Sequence, residues 1–389
     1  MKSGWVTKKL GEVCVLKNGY TPKKSDLGED GSIPYYRISA MNLLGNEMFL
    51  RKPTAWLQGQ WRTFKKGAIV FPKNGGAAYT GKLRILSRDS VVDLNTGVCL
   101  PGDEICNDYM YNWFHTLDLK SVIVEGTIPF IDFGKLSDVR LPIPPLAEQK
   151  RIVAKIDAAF EKIDKLKANA EKNLANAKEL FQSALDEAMR PKKGWVEKRL
   201  GEVCSKIVDG DHNPPKGVEK SDYLMLSSKN IQNGKIIFDN PRYLTKIDFE
   251  TTSKRTNVSY GDVLVTIVGT IGRSCVYEHN QPIALQRSVA VLKPNKGLVN
   301  SCFLMYYVQS MTAELETKGH GAAQKGLYLK ELSSVCVCLP SIDEQNRIVA
   351  QLDALSQKTE TLHQNYARQI ADCAEMRQAI LREAFEGKI

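Results

Sequence analysis

An α+β fold is predicted for this 389-residue chain: two mixed α/β bodies, each followed by a long helix, with the two helices paired as an antiparallel coiled coil and an internal pseudo-twofold relation between the halves. Three observations predict it. Gly4-Trp-Val-Thr-Lys-Lys-Leu-Gly-Glu-Val-Cys14 returns as Gly194-Trp-Val-Glu-Lys-Arg-Leu-Gly-Glu-Val-Cys204, with nine of eleven positions identical. Glu148-Gln-Lys-Arg-Ile-Val-Ala-Lys-Ile-Asp157 returns as Glu344-Gln-Asn-Arg-Ile-Val-Ala-Gln-Leu-Asp353. From Glu148 to Met189 there is neither Gly nor Pro, the composition of one uninterrupted helix. Offsets of 190 and 196 are too long for a solenoid repeat of ~20 to 50 residues. They mark a duplicated domain with its connector.

The elements follow in chain order. Residues 1–140 form the first body, whose β-branched stretches, such as Ala68-Ile-Val-Phe71 and the region of Ile85, predict short strands, and whose residues 108–119 predict a helix. Residues 141–190 are the first long helix, introduced by Leu141-Pro-Ile-Pro-Pro145, where proline is expected to stop the preceding strand ladder. A helix over 148–189 would be a rod of about 63 Å. Its heptad stripe places Ile156, Ile163, Ala170, Ala177 and Ala184 at one seam position and Ala159, Leu166 and Leu180 at the other. Residues 191–338 form the second body, with strands expected over 203–208 and 261–269 and a helix over 301–316. Residues 339–389 are the second long helix, with Leu352, Leu355, Leu362, Tyr366, Met376 and Ile380 on the matching stripe.

Charge is unevenly placed. Of the net +10, residues 1–140 carry 19 Lys and Arg against 14 Asp and Glu, and residues 190–338 carry 21 against 14; the helical segments are close to neutral. Two basic bodies joined by neutral helices suggest two patches facing a polyanion, and nucleic acid is the expected one. No run of about 18 apolar residues is present and Met1-Lys-Ser-Gly-Trp5 carries no apolar leader, so a cytoplasmic protein without membrane contact is expected. Nine scattered Cys and five His without ligand spacing predict free, mostly buried thiols and no metal on this chain.

Two apparent enzyme motifs fail at a defining residue. Gly76-Ala-Ala-Tyr-Thr-Gly81-Lys82 approaches a phosphate-binding loop, but Leu83 stands where a hydroxyl would reach Mg²⁺, so a turn is expected. Asn213-Pro-Pro-Lys216 approaches an adenine-methyltransferase element, but Lys216 offers no aromatic face to a flipped base. The stretch from Gly210 to Lys216 instead occupies the place of Gly19 to Lys24 in the first half. Lys23, Lys24, His212, Asn213 and Lys216 combine phosphate donors with side chains that can read base edges. Arg37 and Asn42, and Ser228, Lys229 and Asn230 in the equivalent stretch, have the same mixed chemistry. Gln324 and Lys325 lie in a Gly-rich loop, and Lys73, Lys82, Arg273 and Arg287 complete the candidate DNA contacts. A stand-alone methyltransferase or nuclease would need a cofactor or metal loop, and a scaffold acting through its helices alone would not need basic bodies with divergent loops.

The sequence resembles the specificity subunit of type I restriction-modification enzymes over essentially its whole length. The resemblance rests on the duplicated Trp5 and Trp195 motifs, the Asp209-Gly-Asp-His-Asn-Pro-Pro215 turn, Gly261-Asp-Val-Leu264, Gly269-Thr-Ile-Gly272, and the two Leu-Pro-x-x-x-Glu-Gln-x-Arg-Ile-Val helix starts. The first half departs at Asn18-Gly-Tyr-Thr-Pro22 and Gly67-Ala-Ile-Val70. The resemblance implies two target recognition domains that each read half of a bipartite, asymmetric site in double-stranded DNA, with the helices setting the gap. It further implies docking of two methyltransferase subunits carrying S-adenosylmethionine and of restriction subunits using ATP and Mg²⁺, with no catalysis on this chain.

Overall fold

The structure, a computed structural model, describes residues 4–232, 234–321 and 325–389. It divides into two compact units, one made of residues 1–171 and 367–389 and the other of residues 172–366. The division falls inside both long helices, Leu146–Met189 and Ile342–Phe385, each 44 residues long.

In the first unit, Val6–Lys9 pairs antiparallel with Arg140–Ile143. A five-stranded sheet follows the order Cys14–Asn18, Thr96–Pro101, Ile69–Pro72, Arg84–Leu86, Phe49–Leu50. A second sheet of four strands runs Leu27–Gly28, Ala55–Leu57, Ile33–Tyr36, Val91–Val92. Its last pair, Tyr35 with Val91, is parallel. Helix Asn107–Phe114 buries Tyr109, Met110, Trp113 and Phe114 against the core, which also holds Leu10, Phe71, Ile152, Ile156, Leu381 and Ala384. Both long helices therefore contribute to this core.

The second unit repeats the plan by itself. Val196–Arg199 pairs with Cys336–Leu339. Its four-stranded sheet runs Cys204–Asp209, Val289–Pro294, Val263–Thr266, Ser274–Val276, and a three-stranded sheet runs Arg242–Tyr243, Leu224–Leu226, Ile283–Leu285, the last pair again parallel. Helix Ser301–Ser310 takes the place of Asn107–Phe114, and its Phe303, Leu304 and Val308 pack with Leu185, Met189, Ile348, Val349 and Leu352.

The duplicated sequences have local work. Leu-Gly-Glu-Val forms a single helical turn in both copies, so the strand expected from Val203 begins only at Cys204. Glu12 and Glu202 accept the N–H groups of Lys9 and Arg199 at 2.5 and 2.6 Å, capping those turns. The second position is closely packed in both copies: a Cβ at Gly201 would stand 2.4 Å from Ser333 Oγ, and one at Gly11 3.0 Å from Ser137 Cβ. Proline did not exclude a ladder as expected: Pro142 lies within Arg140–Ile143, opposite Thr7. In a two-stranded ribbon every strand is an edge, so a missing N–H is tolerated there. The Gly76–Thr80 stretch is a short 3₁₀ turn ending at left-handed Gly81.

The helix seam needs one correction of phase. Ile156, Ile163, Ala170 and Ala177 are buried as expected, but Leu166 is 55% and Leu180 54% exposed. The second seam position instead holds Phe160 and Phe181, packed against the cores of the first and second units respectively. On the other helix, Leu352 is buried and Leu355 half-buried, whereas Leu362 and Met376 are exposed. Between Leu355 and Ile380 the buried residues are Thr359 and Cys373. A heptad step of three on either side of one stripe fits the sequence equally well, and the covering partner selects the side. Within the first unit that partner runs antiparallel: Arg151 bonds the Ile389 carbonyl oxygen at 2.7 Å, while Arg377 pairs with Asp164 and lies 4.3 Å from the Phe160 ring centroid.

Candidate nucleic-acid interface

In the second unit, one three-residue segment, Gln286 to Ser288, gathers the loops. The Asp211 N–H donates to the Leu285 carbonyl at 2.7 Å and the Arg287 N–H to the Asp211 carbonyl at 2.9 Å, which joins the His212 turn to it. Gln286 N–H donates to Leu226 O, and Ser288 Oγ accepts from Ser228 N–H at 3.1 Å. Ser288 O accepts from Ile267 N–H, and Gly269 N–H donates to the Lys325 carbonyl, both at 2.9 Å. His212, Asn213, Arg287, Ser228, Lys229, Arg273 and Lys325 thus stand on loops bonded to one another or to one segment. All but half-buried Ser228 are exposed. Gln324 lies outside the described residues. Gly210 makes the approach possible, since a Cβ there would meet Leu285 O at 2.2 Å. Lys216 is exposed at the far end of the same turn, whose Pro215 carbonyl accepts from Arg242 at 2.8 Å.

Two candidates have other duties. Asn230 is 5% exposed, and its amide bonds Ser227 N–H, Ile237 O and Asp239 O at 2.9 to 3.1 Å. It closes the turn from inside and is not placed to read a base. His212 is exposed but held: its Nε2 lies 2.6 Å from Asp209 Oδ2, and Asp209 Oδ1 takes Arg255 at 2.5 Å. Asp209, nearly buried, is thereby paired on both oxygens. Sequence reasoning missed Asp209, Arg242, Arg255 and Gln286, because their roles come from contacts across 3 to 60 positions of chain.

The first unit builds the same junction at Asp93 to Asn95. Tyr20 N–H donates to Val92 O, Asp93 N–H to Tyr36 O, and Lys73 N–H to Asn95 O, at 2.7 to 2.9 Å. Ile131 N–H returns to Lys73 O at 2.9 Å. Lys73 is screened by aromatic faces, its ammonium 4.7 Å from the Phe133 centroid and 6.0 Å from that of Phe130. Arg37 is exposed, with its guanidinium 5.9 Å from the Tyr35 centroid. The Tyr35 hydroxyl donates to Asp93 Oδ2 at 3.1 Å; burial, and then the Asp93 charge, push that phenol up to about 12, so it remains a donor. Lys82 and exposed Asn42 bond to each other, with no hydrogen bond to residues 93–95 among the described residues. Lys23 and Lys24 are exposed at a 3₁₀ turn that Asp26 caps through the Lys23 N–H. Among the described residues no group of three or more His, Cys, Asp or Glu could hold a metal ion, and no helix is long and apolar enough to cross a membrane.

A family model for the type I restriction modification DNA specificity domain matches residues 2–175 and again residues 192–370. The chain is 27% identical to the type I restriction enzyme EcoBI specificity subunit of Escherichia coli, over 99% of this chain and 86% of that protein. It is 22% identical to the EcoKI specificity subunit of Escherichia coli K12, over 100% and 90%. Its fold is similar to a chain in a structure concerned with complex assembly and conformational transition of the type I R-M system, with a TM-score of 0.79, 23% identity and coverage of 100% and 99%. It is also similar to the HsdS subunit of Thermoanaerobacter tengcongensis, with a TM-score of 0.59 at 23% identity over 100% and 98% of the two chains.

Proposed function

The chain belongs to the family of type I restriction-modification DNA specificity subunits, and from that premise we propose that its two bodies each read one half of a bipartite, asymmetric DNA site. The observation that carries the reading is the twice-built loop junction, centred on residues 93–95 and on residues 286–288. One frame, repeated, presents different side chains: Asp93, Leu94 and Asn95 in one unit, Gln286, Arg287 and Ser288 in the other. A shared scaffold with divergent loop chemistry suits two different half-sites.

The surrounding lysines and arginines contribute sequence-independent attraction to phosphates, and amides, hydroxyls and arginine forks contribute the reading of base edges. The domain limits at 140, 190 and 338 assign one target recognition domain to each basic body. The long helices set the gap between half-sites and dock two methyltransferase subunits, which bring S-adenosylmethionine. Restriction subunits, using ATP and Mg²⁺, join that assembly. Recognition is the part done by this chain.

The test is binding of the purified chain with its methyltransferase subunits to a randomised duplex pool at rising salt. Retention of specific duplexes with affinity falling steeply between about 50 and 200 mM salt is expected, because each neutralised phosphate releases counterions. Affinity indifferent to salt would overturn the reading.

A further inference from the structure

A cavity of about 310 Å³ opens beside the second unit's loop junction, lined by Met225, Ser227, Lys229, Asn240, Arg242 and Gln286, with buried Asn230 behind them. Its chemistry is one-sided. Two cations, a hydroxyl and neutral amides face it, and no carboxylate is among the lining residues. Arg242 is fixed there by its Nη1, which donates to the carbonyls of Pro215 at 2.8 Å and Pro214 at 3.4 Å. The rest of its fork, the Lys229 ammonium and the Gln286 amide have no hydrogen-bond partner among the described residues. No aromatic ring lines the cavity, so an unstacked base would find no face to stack on. A tetrahedral anion would find an arginine held in advance, a lysine and an amide donor.

We infer that this cavity seats a backbone phosphate of the bound duplex, an inference that rests on the DNA-reading function proposed above and adds where the strand is gripped. The two units line this place differently. Gln286 and Asp93 are equivalent through their N–H bonds to Leu226 O and Tyr36 O, both 2.9 Å. Counting from that match, Lys229 corresponds to Ser39, and Arg242, opposite Met225, corresponds to Ala55, opposite Tyr35. At these three positions the first unit offers no cation and one carboxylate, which would repel a phosphate; its one cation on the equivalent lining, Arg37 in the place of Ser227, lies 5.9 Å from the Tyr35 ring centroid. The grip fixes register on one half-site, beside the His212 turn that Arg242 also holds.

The test uses the full chain with its methyltransferase subunits and a duplex carrying the sequence that the complex methylates. Dissociation constants are measured over a salt series for the natural protein, Lys229→Gln, Arg242→Gln and the double variant. Each single variant is expected to bind about tenfold more weakly at low salt, and the double variant to lose about one from the slope of log affinity against log salt. The ranking of duplexes with single-base changes is expected to stay the same. Arg242→Gln also loosens the proline turn, so Lys229→Gln, which breaks no internal bond, is the decisive single variant. A methylphosphonate at one backbone position should reproduce the loss, with little further loss on adding Arg242→Gln. An unchanged slope in the double variant, or a changed ranking of base variants, overturns the phosphate seat. Failure of the natural protein to bind with salt dependence would instead overturn the DNA-reading function itself.

Discussion

Gln149 and Gln345, the second residue of each repeated Glu-Gln pair, are wholly buried and fully bonded. Gln149 accepts the Cys106 N–H at 2.8 Å and donates to Glu104 O and Pro144 O at 2.9 and 2.8 Å; Gln345 treats Asn300, Leu298 and Pro340 in the same way at 2.8 to 3.2 Å. Each amide clasps the start of a long helix to the loop before its body's buried helix. Replacing either by Leu leaves three backbone groups without their partner, one of them buried and two partly buried, and a loss of about 2–3 kcal/mol in urea unfolding is expected. The clasps explain why the repeat is so faithful there, a reason invisible in a motif whose residues look helical and solvent-facing. His115 adds a pH dependence. Burial, with positive Arg84 and Arg377 behind it, lowers its pKa to about 4 from 6.5. The unfolded chain therefore binds a proton that the folded chain refuses, so this contribution to stability is complete above pH 6.5 and declines as pH falls towards 4. His115→Gln should flatten that decline, measured as urea midpoints at pH 7.5 and 5. Of the loop residues, Lys229, Arg273 and Arg287 stand exposed on loops, a placement that charge and turn context made legible. Asn230 was not, because a turn-closing amide and a base-reading amide are the same residue type in sequence.

At the scale of elements, the helices were the most legible feature, since absence of Gly and Pro over forty residues leaves few alternatives. Their faces were less so. Large aliphatic Leu166 and Leu180 drew the second seam position to the wrong side, whereas Phe160 and Phe181, both one position later in the heptad, pack against the cores. Phe160→Ala should cost about 2 kcal/mol through lost packing and the lost contact with Arg377. Leu166→Ala should change stability by no more than about 0.5 kcal/mol in the same thermal or urea titration. Equal losses at both positions would contradict the seam described here. The strands were placed within a few residues in the sheet cores, where β-branched runs are dense. Sequence missed the parallel pairs Tyr35 with Val91 and Leu224 with Ile283, which join segments 56 and 59 positions apart. Those parallel pairs position the loop junctions, so the heart of each candidate site lay beyond sequence periodicity.

At the scale of the molecule, duplication and divided charge were enough to argue for two polyanion-binding bodies, and the family match covers both halves. If the long helices set the gap, adding one heptad to each at the division between units, after Glu171 and before Ala367, should lengthen it. Seven residues add about 10.5 Å, or roughly three base pairs at 3.4 Å each. Both half-sites should survive unchanged, and altered half-sites with an unchanged gap would contradict the ruler. The most direct measurement is methylome sequencing of a strain carrying this chain with its methyltransferase subunits. Two short, different half-sites separated by a fixed run of unspecified bases are expected. A single continuous motif, or two identical half-sites, would contradict two units that read DNA separately.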